Sequence, residues 1–247
     1  MSAIIEVSHV SKSFGGVKAN EDISLTVEKG SITGLIGPNG SGKTTLFNSI
    51  VGYHPIDSGS IRFEGREISK LLVPEIARLG LLRTFQQTRI YGKMNCVENM
   101  LISIPHRKMT LLEAFRRNTP EERERAEHLL HFVGLYEKRW LQAGSLSFGQ
   151  QKLLEFAMAL MNEPTVLLLD EPTAGINPTL INGLIDRLKH ANREFGITLF
   201  IIEHNMRVIM NMADRIYCLA HGRLLAEGTP EEIQNDQRVI DAYLGAH

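Results

Sequence analysis

The sequence predicts an α/β fold with a parallel sheet, an antiparallel β-rich start and an inserted helical segment. Three observations carry this. The first segments alternate apolar and polar residues at period two, residues from about Asn95 to His131 keep only helical spacing, and from Thr165 onward apolar runs alternate with helical patterns. A chain of 247 residues suits one large domain with a subdomain.

Ile4 to Val10 and Ile23 to Val27 alternate like strands, and Ser31 to Gly37 is an apolar run feeding a glycine-rich turn. From Gly42 the period changes. Leu46, Phe47, Ile50 and Val51 share one helical face, and Gly52 stands where a C-terminal cap glycine belongs. Ile61 and Phe63 lie in an edge-strand pattern, Ile76 to Leu79 in a short helical one, and Leu81 to Phe85 in a strand candidate. The insertion carries Val97, Met100 and Leu101, then Leu111, Leu112 and Phe115, then Ala126, Leu129, Leu130 and Val133 at helical spacing. Its charges from Glu121 to Glu127 have mixed sign and lie opposite that stripe, which reads as a solvated face. His128 and His131 sit on the same helix without a third ligand at suitable spacing, so they read as surface residues.

Val166 to Leu169 and Ile197 to Ile202 are buried-type parallel strands. The helix between them has Asn177 as its N-cap and Pro178 in its first turn, with Ile181, Leu184, Ile185 and Leu188 facing inward. Arg215 to Leu219 and Leu224 to Glu227, joined by His221-Gly222, form a final hairpin before short helical pieces.

Composition narrows the function. Lys plus Arg number 27 against 28 Asp plus Glu, a formal charge of −1, so no bulk field draws the chain to nucleic acid or an anionic membrane. With 43% hydrophobic and 22% charged residues it is not a disordered polymer. Its apolar runs fall far short of the roughly 20 residues that cross a bilayer. The start, Met-Ser-Ala-Ile-Ile-Glu, shows no basic region or apolar core of a secretory signal. Cys96 and Cys218 lie in apolar-patterned segments, as buried thiols do in a reducing compartment, and a cytoplasmic location is expected.

The chemistry begins at Gly37-Pro38-Asn39-Gly40-Ser41-Gly42-Lys43-Thr44, a phosphate-binding loop pattern placed after a strand and before a helix. The glycines let backbone N–H groups converge on a polyphosphate, and the helix start adds its partial positive charge. Lys43 neutralises the outer phosphates, and the Thr44 hydroxyl is placed to ligate Mg²⁺, with Thr45 following on the same helix start. A metal partner is then needed at the end of a neighbouring strand. Asp170 supplies it, and Glu171, one residue on, is placed to act as general base on the attacking water.

Leu146-Ser147-Phe148-Gly149-Gln150-Gln151 opens a helix, with Ser147 a good N-cap in its own right. With these motifs in this order, the chain resembles the nucleotide-binding subunits of ATP-binding cassette (ABC) transporters. The resemblance implies a P-loop NTPase, RecA-like core with an antiparallel β-subdomain, covering residues 1–86 and 163–247, and a helical subdomain over 87–162. It implies that Ser147, Gly149 and Gln150 complete the ATP site of the opposite subunit. Phe14 matches the aromatic that stacks on adenine. Gln86 matches the glutamine that links nucleotide, and its Mg²⁺, to the membrane partner. Ala174-Gly175-Ile176-Asn177 matches the loop at the dimer interface, and His204 the switch histidine that touches the terminal phosphate.

Phe148 replaces the first signature glycine and Asn177 the family's usual interface aspartate, while Ser147 and Gly149 remain. Together with Arg83-Thr84-Phe85-Gln86 and the ending Tyr243-Leu244-Gly245, these features resemble the ATPases of branched-chain amino acid importers. The ATPases of lipopolysaccharide export and of urea or amide uptake look similar at that ending. The implied protein binds ATP and Mg²⁺, pairs with a second ATPase subunit of the same or a related chain, and docks on permease subunits at the inner face of the membrane. It serves a solute-binding protein indirectly and has no nucleic-acid partner. A soluble cassette of DNA repair or translation is disfavoured, because the chain has neither a coiled-coil insertion, nor a second cassette, nor a basic stripe.

Overall fold

The computed structural model describes residues 2–84, 90–104 and 118–244. Two compact units emerge: one of residues 1–83, 165–173 and 188–247, the other of residues 84–164 and 174–187.

Along the chain, strands β1 (Ala3–Phe14) and β2 (Val17–Glu28) form an antiparallel hairpin that turns at Gly15 and Gly16, both at positive φ. They outrun the stretches that alternate in sequence. His9 and Asp22 both adopt φ 53° and the ladder shifts register around them, so the pairing continues through bulges that break the period-two pattern. Next come β3 (Ile32–Ile36), helix α1 (Lys43–Ile50), β4 (Ser58–Phe63), β5 (Arg66–Glu67), α2 (Val73–Arg78) and β6 (Leu81–Arg83). Gly52 ends α1 at φ +74°, and a Cβ there would come within 2.5 Å of the Leu71 carbonyl, so only glycine fits. Helices α3 (Cys96–Ile102), α4 (Pro120–Phe132) and α5 (Phe148–Leu160) follow. The last stretch holds β7 (Val166–Asp170), α6 (Pro178–Phe195), β8 (Thr198–Ile202), α7 (Met206–Met212), β9 (Arg215–Ala220), β10 (Arg223–Gly228), α8 (Pro230–Asn235) and α9 (Gln237–Leu244).

The first unit contains both sheets. The six-stranded sheet has the order β10-β9-β3-β8-β7-β6; every pairing in it is parallel except the β9-β10 hairpin. All five residues of β3, β7 and β8 are buried, as continuous apolar runs in a parallel sheet require. The four-stranded antiparallel sheet has the order β2-β1-β4-β5. Ile5, Val7, Ile23, Leu25, Phe47, Ile50, Ile61, Phe63, Leu168 and Phe200 join in one core, with the Phe47 and Phe200 rings 4.7 Å apart. Parallel pairing puts the carboxyl ends of β3 and β7 at the same edge of the sheet, which is where an α/β protein builds its site.

In the second unit Thr119 caps α4 through a capping box with Glu122, and Ala126, Leu129, Leu130 and Val133 are buried as their spacing predicts. The buried Asn99 side chain donates to the carbonyls of Tyr91, Met94 and Asn95 and accepts from the Tyr91 N–H, pinning the turn that leads into α3. Asn177 caps α6 by accepting from the Thr179 N–H at 3.1 Å. Leu184, Ile185 and Leu188 are buried, and Ile181 is half-buried. Leu111, Leu112 and Phe115 lie outside the described residues. Both cysteines are buried free thiols, and burial pushes the Cys218 thiol up to about 11. No helix among the described residues is long and apolar enough to cross a membrane.

Candidate functional site

The loop from Gly37 to Gly42 leaves β3 and enters α1. Its glycines are required by contact as well as by φ. A Cβ on Gly37 would overlap the Leu219 carbonyl oxygen, and one on Gly42 the Ala19 carbonyl oxygen, while Gly40 at φ +77° faces open space. The loop is therefore drawn tight against β9 and β2 at its ends and left free in its middle, where Asn39 and Gly40 are exposed. Gly42 is also the N-cap of α1 and supplies no side-chain cap, so the first N–H groups of the helix remain for an anion.

Lys43 is buried. Its ammonium donates to the carbonyls of Gly37 at 2.8 Å and Pro38 at 2.9 Å, folding back over the loop. Burial pulls this ammonium below the ordinary lysine range, against Glu171 and Asp170, whose charges hold it up. A polyphosphate seated on the loop offers the same cation stronger acceptors than neutral carbonyls. Thr44 is exposed and Thr45 half-buried at the helix start.

Asp170 ends β7 with 2% of its surface exposed. Its Oδ2 accepts from Arg83, and its Oδ1 is buried without a hydrogen-bond partner. A buried carboxylate oxygen left in that state fits a divalent cation, which would supply the partner that Oδ1 lacks. Glu171 follows at φ +50°, and its Oε1 lies 2.8 Å from His204 Nε2. The first unit thus brings Lys43, Asp170, Glu171 and His204 together. Phe14 stands at the end of β1, 43% exposed, with its ring 5.2 Å edge-on from His54 and 5.3 Å from the Lys12 ammonium. That leaves an accessible aromatic face. Gln86 lies outside the described residues.

Ser147, Gly149 and Gln150 belong to the second unit, apart in the chain from the phosphate loop. Ser147 caps α5, accepting from the Gln150 N–H, while Gln150 Oε1 accepts from the Ser147 N–H. Phe148, half-exposed, lies over Gly175, where a Cβ would come within 2.9 Å of the ring. The bulk of the Phe148 ring is thereby matched to the absence of a side chain at Gly175.

Three contributors went unseen in the sequence. Asn20, fully buried, donates to the Gly42 carbonyl at 3.0 Å and fixes the end of the loop. The Tyr243 hydroxyl accepts from the Gly37 N–H at 2.8 Å, and burial pushes that phenol up to about 12. Arg83 binds Asp170. Each acts across a long sequence separation, so no local spacing announces it.

The chain is similar to known proteins along nearly its whole length. The ABC transporter family matches residues 20–174, and the family described as branched-chain amino acid ATP-binding cassette transporter matches residues 223–247. The chain is 41% identical to the high-affinity branched-chain amino acid transport ATP-binding protein BraF of Pseudomonas aeruginosa, over 98% of each chain. It is 37% identical to LivG of Escherichia coli K12, a protein of the same description, again over 98% of each. Among solved structures it is similar to the ADP conformation of MJ1267, an ATP-binding cassette of an ABC transporter, with TM-score 0.88 and 34% identity over 99% of this chain and 100% of that one. It is also similar to a dimeric post-hydrolysis state of the cassette MJ0796 bound to ADP and Pi, with TM-score 0.77 and 25% identity over 92% and 98% of the two chains. A phosphate loop after β3, a buried acid at the end of β7, one strand removed from β3 across β8, and end-to-end relatives converge: the chain belongs to the ABC transporter family and is one of its ATP-binding, ATP-hydrolysing subunits.

Proposed function

We propose that this chain powers the uptake of branched-chain or other hydrophobic amino acids, working as one of two cassettes beneath permease subunits at the inner face of the membrane. The observation that carries the solute class is the agreement of the whole-chain alignment with a family match at residues 223–247. The body of the chain aligns end to end with amino acid transport subunits, and the last 25 residues, 223–247, match a family of the same transport class.

The site residues take the following roles in this reading. Phe14 stacks on adenine. Backbone N–H groups of residues 37–42 and the Lys43 ammonium hold the phosphates. Thr44, Asp170 and Gln86 hold Mg²⁺, directly or through its water, and the ion when bound offsets charge on the phosphate oxygens. Glu171 takes a proton from the attacking water as that water bonds to the terminal phosphorus and the bond to ADP breaks. His204 orients against the same phosphate, its Nε2 lying 2.8 Å from Glu171 Oε1. Ser147, Gly149 and Gln150 meet the nucleotide of the second cassette. Two cassettes close over two nucleotides, and reopening after hydrolysis moves the permease; the solute never touches this chain.

Purifying the intact membrane complex, identifying its subunits and measuring its ATPase rate with a loaded solute-binding protein tests the reading. Stimulation by leucine, isoleucine or valine is expected. Stimulation by urea or short amides alone, or recovery with lipopolysaccharide export subunits, overturns it.

A further inference from the structure

Glu203 is a buried carboxylate with no part in the roles above. It is the residue that follows β8, and 2% of its surface is exposed. Its two oxygens serve two different loops. Oε1 accepts from the Thr173 backbone N–H at 3.0 Å and from the Thr173 hydroxyl at 2.6 Å. Oε2 accepts from the backbone N–H groups of His204 at 3.1 Å and Asn205 at 3.2 Å.

These partners bracket the residues that do the chemistry. Thr173 lies two positions beyond Glu171, and His204 is the neighbour of Glu203 itself. The Glu171 N–H donates to the Ile202 carbonyl at 2.9 Å, so the backbone of Glu171 is tied down on one side by Ile202 and on the other, through Thr173, by Glu203. The Glu171 to His204 side-chain contact at 2.8 Å closes the ring. Glu171 adopts φ +50°, a conformation unfavourable for a residue with a Cβ and kept only where the surroundings over-determine it.

We infer that Glu203 is a positioning residue whose carboxylate clamps the Glu171 and His204 loops together and aims both side chains at the terminal phosphate. This rests on the roles proposed for Glu171 and His204. The chemistry of the clamp demands a carboxylate. Every partner presents an N–H or O–H donor, and only an ionised acid accepts at both ends. An amide of the same shape accepts at one end and presents NH₂ at the other, so whichever way it turns, the backbone N–H of Thr173 or those of His204 and Asn205 lose their acceptor.

Glu203→Gln and Thr173→Val, singly and together in the full chain, test the clamp. In nucleotide-free protein, amide exchange in residues 171–176 or 203–208 of Glu203→Gln should quicken about tenfold, the scale of one lost hydrogen bond, with the melting temperature of the whole chain little changed. The turnover number should fall at least about tenfold while nucleotide affinity stays within a fewfold of wild type, because aim rather than binding is lost. Adding Thr173→Val to Glu203→Gln should cost little more, since both act through one contact. Unchanged exchange, fully additive losses, or a parallel loss of nucleotide affinity would each overturn the inference. Wild-type turnover in Glu203→Gln overturns the clamp alone, whereas wild-type turnover in Glu171→Gln overturns the proposed base and, with it, the clamp's role in aiming that base.

Discussion

Arg83 and Asp170 form an ion pair inside the protein, Nη2 to Oδ2 at 2.5 Å, with side chains 8% and 2% exposed. The pair spans the adjacent parallel strands β6 and β7. A second arm of the guanidinium reaches Asn48 Oδ1 on α1, and its Cζ lies 5.8 Å from the centre of the Phe47 ring. One residue therefore links the helix that follows the phosphate loop to the acid assigned to Mg²⁺. It occupies only Oδ2 and leaves Oδ1 without a partner.

Removing one member of a buried pair strands the other charge, at a cost of about 3–5 kcal/mol. Arg83→Met should lower unfolding stability by about that amount in a denaturant titration, and Arg83→Met with Asp170→Asn should recover much of it, because the stranded charge is gone. A single variant within about 0.5 kcal/mol of wild type, the range of ordinary surface changes, would show that the pair carries no net weight.

Glu171→Gln should keep nucleotide binding and lose turnover by about a hundredfold or more, the usual contribution of a positioned base. The phosphate loop is untouched by the change, so the protein should accumulate as an ATP-bound dimer. Gel filtration with ATP and a phosphate-release assay measure the two halves of this expectation. Turnover within a fewfold of wild type would assign the base to another residue.

What the sequence disclosed and what it hid divide along one physical line. The phosphate loop was legible because its glycines, Lys43 and Thr44 lie within one turn, and the helix patterns because burial repeats every three or four residues. Asp170 was legible once an apolar strand was seen to end in acid. Glu203 was not, because its meaning lies in Thr173, 30 positions away, nor Arg83, whose partner is 87 away. The first two strands were read short for a related reason: positive-φ bulges at His9 and Asp22 preserve the ladder while breaking the alternation that signals it.

Ser147 and Gly149 should act on the nucleotide of the partner cassette. A Cβ at Gly149 would stand 3.3 Å from Leu180 and 3.6 Å from Ile176, so an aspartate there brings both bulk and charge into the α5 start. Mixed dimers of Lys43→Ala with Gly149→Asp chains should keep hydrolysis at one of two sites, the one assembled from the intact loop of one chain and the intact signature of the other. Heterodimers that demonstrably form yet hydrolyse nothing would contradict a shared site.

The final prediction concerns docking on the permease. Of the segment from Phe85 to Met94, residues 85–89 lie outside the described range, and the rest is held firmly. Asn99 fixes Tyr91 and Met94 through their backbone, the Met94 carbonyl accepts from the Ala143 N–H at 2.8 Å, and the Gly92 carbonyl from the Gly144 N–H at 2.9 Å. This backbone anchoring leaves the Tyr91 side chain free, with 54% of its surface exposed. Trp140 and Leu141 are also about half exposed, on a stretch tied to α3 by the Val97 N–H to the Arg139 carbonyl and by the Cys96 thiol to the Lys138 carbonyl. Large apolar side chains on a rigid backbone lose little entropy on binding, which suits them to anchor a short helix of a membrane partner. Tyr91→Ala should leave ATP binding by the isolated chain intact, since no nucleotide-binding role falls to it. Loss of such an anchor costs about 2 kcal/mol, or roughly thirtyfold in affinity, so co-purification with the permease should weaken and solute uptake should fall. Met94→Ala, less exposed, should act in the same direction. Wild-type assembly and uptake in both variants would place the docking surface elsewhere.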